Sequence, residues 1–221
     1  MTLPNALTLL RIFFVPLLLA VLLRKQIHLE TPWITISKEW LALPIFLVAA
    51  LTDLLDGIIA RRRHQISTLG TLLDPVADKL LVSAAFISLV ELGLVPAWMV
   101  VLIVGREFAV TGLRSIAAAE GYTIEASELG KTKMAMQVLA ISLLLAGAGP
   151  PPRFWSFLTT HWSLVRTLGW AALWLVVLFA VVSAVDYFQK FWRRVDIRFK
   201  VRRRRERLLL LRKQRKDVAA Q

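Results

Sequence analysis

The chain has no cysteine, which excludes both disulfides and thiolate metal sites. Its three histidines, His28, His64 and His161, fall at no ligand spacing and read as surface residues. Acidic residues are scarce, 15 against 28 Lys and Arg. Polarity as a whole is low: 57% of the 221 residues are hydrophobic and the mean hydropathy is +0.62, which excludes an ordinary soluble domain. No internal repeat is evident. No cleavable signal is expected at the N-terminus, because the first apolar run is long, Arg11 and Pro16 interrupt it, and no small-residue cleavage pattern follows.

What is present is a series of apolar runs at roughly 6–23, 39–60, 71–91, 96–117, 132–148 and 164–188. Each approaches the ~20 residues that a spanning helix needs. We therefore expect an all-α, polytopic membrane protein with six transmembrane helices. One domain covers residues 1–192, with a short interfacial segment at its N-terminus. A basic tail covers 193–221.

The positive charge is concentrated in that tail. Residues 193–216 hold 13 Lys and Arg opposed only by Asp196 and Glu206, a net +11, so the remainder carries +2. A basic run beside a membrane helix suits anionic lipid headgroups. A nucleic-acid role has neither aromatic interleaving nor a motif behind it, and none is expected. Basic residues also cluster at Arg61 to Arg63 and at Lys131 and Lys133. With six helices these places share one side, and positive loops stay cytoplasmic, so both termini are expected there. On the opposite side Gly149-Pro150-Pro151-Pro152 breaks any helix, and Trp155 and Trp162 suit a membrane interface.

Four carboxylates interrupt this apolar background within 26 residues: Asp53, Asp56, Asp74 and Asp78. A bare charge at the bilayer centre costs roughly 2.5–3.5 kcal/mol on insertion scales, so four need a compensating partner. On a helix, Asp53, Asp56, Gly57 and Ala60 form one stripe, as do Asp74 and Asp78. The short connection between the two helices makes them antiparallel neighbours, with all four carboxylates near the cytoplasmic surface. Oxygen ligands without His or Cys favour hard cations such as Mg²⁺, Mn²⁺ or Ca²⁺. Gly57, Ala60 and Gly70 leave room for a ligand, Arg61 can neutralise a phosphate oxygen, and Pro75 removes a backbone donor beside Asp74. Taken singly, each piece has an ordinary explanation: a solvated helix end, helix-packing glycines, a topology signal. Together the eight spaced positions do not.

The run Asp53-x2-Asp56-Gly57-x2-Ala60-Arg61-x8-Gly70-x3-Asp74-x3-Asp78 resembles the motif of the CDP-alcohol phosphotransferase family, matching all eight positions. Leu3 to Arg11, Gly70 to Lys79, Arg106-Glu107-Phe108, Gly112-Leu113-Arg114 and Gly130 to Lys133 are similar to the branch of that family that makes phosphatidylglycerophosphate. Cardiolipin synthases share parts of this second layer. The resemblance implies six membrane helices in the bacterial inner (cytoplasmic) membrane, a site for two ions of Mg²⁺ or Mn²⁺, and a homodimer. It also implies transfer of the phosphatidyl group from CDP-diacylglycerol to glycerol 3-phosphate, with release of CMP.

Residue by residue, the resemblance implies that Asp53, Asp56, Asp74 and Asp78 hold the metals. Asp78 also takes the proton from the acceptor's primary hydroxyl. Gly57, Ala60, Arg61 and Gly70 line the site for CDP-diacylglycerol. No residue looks like a covalent nucleophile, which favours direct displacement. The acceptor's phosphate needs cations, and Arg106, Arg114, Lys131 and Lys133 are the candidates. Arg106 and Arg114 lie within about 80° of one helix face. Arg114 and Lys131 equally suit snorkelling to headgroups, and Glu107 is an alternative partner for Arg106. Asn5 and Arg11 are further candidates for approaching the donor. The metal motif defines only the donor side, so a cardiolipin synthase or an inositol-phosphate-type synthase is an alternative. An intramembrane cation transporter is a remote one, since its site would lie near the midplane.

Overall fold

The computed structural model describes residues 3–24, 28–31, 34–63, 68–121, 129–149 and 162–219. Six helices form the described part: α1 (Leu3–Leu23), α2 (Lys38–Arg63), α3 (Thr68–Glu91), α4 (Ala97–Ala119), α5 (Leu129–Ala146) and α6 (Trp162–Ala219). Each coincides with one of the six apolar runs. The expected interfacial segment is not a separate element, because α1 begins at Leu3. The fold is all-α as expected, with one short hairpin added between α1 and α2. Strands β1 (His28–Thr31) and β2 (Ile34–Ser37) pair antiparallel, His28 opposite Ser37 and Thr31 opposite Ile34. This hairpin occupies what reads in the sequence as a plain loop.

Among the described residues the main core lies in one half of the bundle, towards the ends of α1, α3 and α5 and the starts of α2, α4 and α6. Leu18 and Leu22 of α1, Phe46 of α2, Phe86 and Leu89 of α3, Met99 and Ile103 of α4, Ile141 and Leu145 of α5, and Leu173 and Val176 of α6 are all buried in it. The most extensive packings among the described residues are α5 on α6 and α1 on both α2 and α3. Small residues bring α5 and α6 together. A Cβ on Gly169 would stand 3.2 Å from the Leu143 and Leu144 backbone, and one on Gly147 would stand 3.0 Å from Arg166 Cα. Such close backbone approach is how helices associate where lipid removes the hydrophobic drive between them.

The turn from α3 to α4 is tight. Gly93 takes φ +68°, and Leu94 N–H closes on Leu89 O at 2.9 Å. Pro96 then leads into α4 with an extended backbone. At the same end of the bundle, Trp40 Nε1 donates to Gly149 O at 3.2 Å, tying the start of α2 to the end of α5.

The outer surface is apolar. Phe13, Leu51, Ile87, Val101, Leu139 and Leu178 stand exposed, one from each helix. Among the described residues one helix segment, Trp162–Arg193, is long and apolar enough to cross a membrane, and Leu10–Leu23 and Thr132–Ala146 are shorter apolar stretches. Beyond Arg193, α6 continues as a helix into the basic segment, whose side chains lie outside the described residues.

Candidate active site

The eight-position motif lies on two helices joined by residues 64–67, which are outside the described residues. Asp53, Asp56, Gly57, Ala60 and Arg61 belong to the C-terminal half of α2. Gly70, Asp74 and Asp78 belong to the N-terminal half of α3, which runs unbroken through Pro75. The side chains of all eight lie outside the described residues. Their backbone positions carry information nonetheless. At 1.5 Å per residue, Asp56 and Asp53 stand about 10 and 15 Å before the end of α2. Asp74 and Asp78 stand about 9 and 15 Å after the start of α3. The four positions therefore match in depth, two by two, measured from one short connection. A donor set of four carboxylates at matched depth fits a pair of hard divalent cations.

Arg11 is fully buried on α1, the helix that packs along both α2 and α3. Its guanidinium is withdrawn from solvent there. The side chains of Asn5 and His28 lie outside the described residues, as do His64, Trp155 and His161 entirely.

A second polar group sits inside the bundle, and four helices build it. Arg106 Nη1 of α4 donates to Glu107 Oε1 at 2.9 Å. Lys133 of α5 pairs with the same carboxylate oxygen. Arg106 Nη2 donates to Ser183 Oγ of α6, and the guanidinium carbon lies 5.9 Å from the centre of the Tyr187 ring, a cation–π contact. Lys79 of α3, next in sequence to Asp78, donates to Thr111 Oγ1, which in turn donates to Glu107 O at 2.8 Å. Arg106 and Lys133 are 10% and 6% exposed, and Glu107 is 24% exposed. Two buried cations thus share one carboxylate, with a third cation on the adjoining helix. The group retains positive charge that a phosphate would neutralise.

The structure brings Arg106 and Lys133 together and leaves Arg114 apart. Arg114 is exposed and makes no hydrogen bond or ion pair with this group among the described residues. The Lys131 side chain lies outside the described residues. Glu107 is the partner of Arg106, as its adjacency suggested, and it is the partner of Lys133 as well. Lys79, Thr111, Ser183 and Tyr187 went unselected in the sequence. Only Lys79 carried a signal, its place beside Asp78; the others are ordinary helix residues until α4 and α6 pack.

A helical bundle with an acidic motif on α2 and α3 and a buried cationic group beside it has the parts of a phosphoryl-group transferase. Residues 1–182 match the model of the CDP-alcohol phosphatidyltransferase family, and the chain belongs to that family. It is 42% identical over 193 residues to the CDP-diacylglycerol–glycerol-3-phosphate 3-phosphatidyltransferase of Bacillus subtilis, covering 86% of this chain and 95% of that protein. It is 31% identical over 187 residues to the Rickettsia bellii protein of the same name, covering 85% and 93%. It is also 35% identical over 207 residues to a CMP-forming cardiolipin synthase of Oryza sativa, covering 87% of this chain and 58% of that protein.

Proposed function

We propose that the chain transfers the phosphatidyl group of CDP-diacylglycerol to glycerol 3-phosphate, giving phosphatidylglycerophosphate and CMP. The observation that carries this reading is the complete acidic motif, at matched depth on α2 and α3, in a chain 42% identical to a protein named for that reaction. Asp53, Asp56, Asp74 and Asp78 would hold two Mg²⁺ or Mn²⁺ ions. When bound, these stabilise negative charge developing on the donor pyrophosphate. Gly57, Ala60 and Gly70 keep the donor's path clear, and Arg61 offsets a phosphate charge. Arg11, buried on α1, adds a further cation. Lys133 and Arg106 receive the acceptor phosphate and orient its primary hydroxyl, with Arg114 and Lys131 nearer the headgroups. Asp78 accepts the hydroxyl proton at a carboxylate oxygen. The oxygen so freed attacks the phosphorus nearest diacylglycerol, and CMP departs.

The same reading places α1 to α6 across the bacterial cytoplasmic membrane, with the active site and both termini on the cytoplasmic side. Large apolar side chains exposed on every helix support it, since water-soluble monomers rarely present so much contiguous apolar surface. The basic extension of α6 then meets anionic headgroups. A homodimer follows from the family resemblance.

The rice relative favours one second reading, in which phosphatidylglycerol is the acceptor and cardiolipin the product. Supplying purified protein with labelled CDP-diacylglycerol and a panel of alcohols separates the two. Labelled phosphatidylglycerophosphate with stoichiometric CMP supports the first. Labelled cardiolipin supports the second. No CMP release with any alcohol overturns both.

A further inference from the structure

Two N–H donors on the helices that build the polar group find no hydrogen-bond partner among the described residues. Gln137 of α5 is 4% exposed, and its Nε2 is buried with no hydrogen-bond partner. Arg106 Nε is likewise buried without one, while Nη1 and Nη2 serve Glu107 and Ser183. Buried polar groups in folded proteins are hydrogen-bonded in the large majority, and one left open calls for a reason. Inside a bilayer the demand is stricter, because no solvent is at hand.

Position supplies the reason. Gln137 stands four residues past Lys133, about 6 Å along α5 and on the same face. Lys133 in turn reaches Glu107 on α4, so the face of α5 that carries Gln137 is the one turned towards the Arg106–Glu107 pair. Other orphaned polar atoms with no such setting, Ser37 Oγ and Trp162 Nε1, belong to the end of β2 and the start of α6, at the opposite end of the bundle. The charge of the group points to an anion, and a neutral carboxamide adds a donor there without adding repulsion.

We propose that Gln137 is a binding residue for the acceptor, its carboxamide N–H donating to a phosphate oxygen held by Lys133. The proposal rests on the reading of this group as the acceptor pocket. The unpartnered Nε2 is the donor such an oxygen would engage, and a donor beside these cations suits a phosphomonoester rather than a plain alcohol.

The test compares wild type with Q137M and Q137E, measuring CMP release against glycerol 3-phosphate and against CDP-diacylglycerol, with thermal unfolding of each purified protein. Q137M keeps the length of the side chain and removes the donor. Its KM for glycerol 3-phosphate rises about tenfold or more, the scale of one hydrogen bond to an ion. Its KM for CDP-diacylglycerol is unchanged, and its midpoint without substrate is equal to or above wild type, since a buried open donor has been removed. Q137E, with a negative charge at the same place, loses more acceptor affinity than Q137M. An unchanged acceptor KM in either variant overturns the proposal. So does a rise in both KM values together with a lowered midpoint, which marks a packing role. Where Q137M does not fold, Q137E alone decides by the same acceptor KM. Wild-type protein that releases no CMP with glycerol 3-phosphate overturns the functional reading and this proposal with it, whereas active wild type with indifferent variants overturns this proposal alone.

Discussion

Replacing Glu107 by Gln should destabilise the empty protein and make it respond more strongly to its acceptor. One carboxylate oxygen holds Arg106 at 2.9 Å and also holds Lys133, and these two cations are 10% and 6% exposed. Removing one partner of a buried ion pair costs about 3–5 kcal/mol, because the other charge is left without compensation. Glu107 is itself 24% exposed, so the lower end, about 3 kcal/mol, is the fair expectation. For a chain of this length that lowers the unfolding midpoint by about 6–12 °C. A phosphate entering the pocket then takes the place of the lost charge. Ligand that binds only the folded state adds stability as its binding tightens. The shift produced by saturating glycerol 3-phosphate is therefore larger in E107Q than in wild type. Thermal unfolding in a single detergent at a fixed scan rate reads both quantities. A fall of less than about 2 °C, or an acceptor-induced shift no larger than that of wild type, would refute the argument that these cations form an anion pocket neutralised by Glu107.

Chelation followed by dialysis should abolish CMP release, and added Mg²⁺ or Mn²⁺ should restore it; full activity after exhaustive chelation would remove the metal reading. Asp78→Asn should end turnover while leaving substantial CDP-diacylglycerol binding, and Asp53→Asn should weaken that binding too, as donor titrations on both variants will tell. Lys133→Ala should raise the KM for glycerol 3-phosphate about tenfold or more with little effect on the donor, as expected for the loss of a charge-assisted contact. Gly169→Leu should cost about 1–3 kcal/mol by forcing α5 and α6 apart, since the first added carbon already meets the Leu143 and Leu144 backbone at 3.2 Å; an unchanged unfolding midpoint would count against tight packing there.

The helices were legible because each is long and apolar, and a run of that length has no competing reading as a strand. The hairpin was not, because its strands are four residues each and owe their pairing to the ends of α1 and α2 that bring them together. The extent of α6 was missed for a different reason. Dense positive charge reads as a tail, yet Arg, Lys and Leu are strong helix formers, and neither Gly nor Pro occurs between Gly169 and the C-terminus to stop the helix. The acidic motif was legible in full, since its spacing is local to two consecutive helices. The proposed acceptor pocket was legible only in part. Arg106 and Glu107 are adjacent in sequence, but Ser183 lies 77 residues further on and reaches Arg106 only through the packing of α4 on α6. Gln137 was invisible for the same reason, because an unmet hydrogen bond exists only once its surroundings are assembled.

The proposed pocket is also a joint of the fold, and this bears on how its variants are to be read. In lipid, helices gain nothing from the hydrophobic effect by meeting one another, so association falls to close packing and to polar contacts. The α5–α6 pair uses the first, through Gly147 and Gly169. At the level of the cluster, α4 uses the second: Thr111 takes a bond from Lys79 on α3, Glu107 holds Lys133 on α5, and Arg106 donates to Ser183 on α6. The side chains proposed to bind the acceptor therefore fix the helices that form its walls. A substitution at Arg106 removes a ligand contact and a tether in one step, and a loss of activity there cannot by itself identify a binding role. Gln137 differs, because its open donor tethers nothing. Its replacement separates recognition from cohesion, and an increase in acceptor KM at undiminished stability is the one result that a purely structural cluster would not produce.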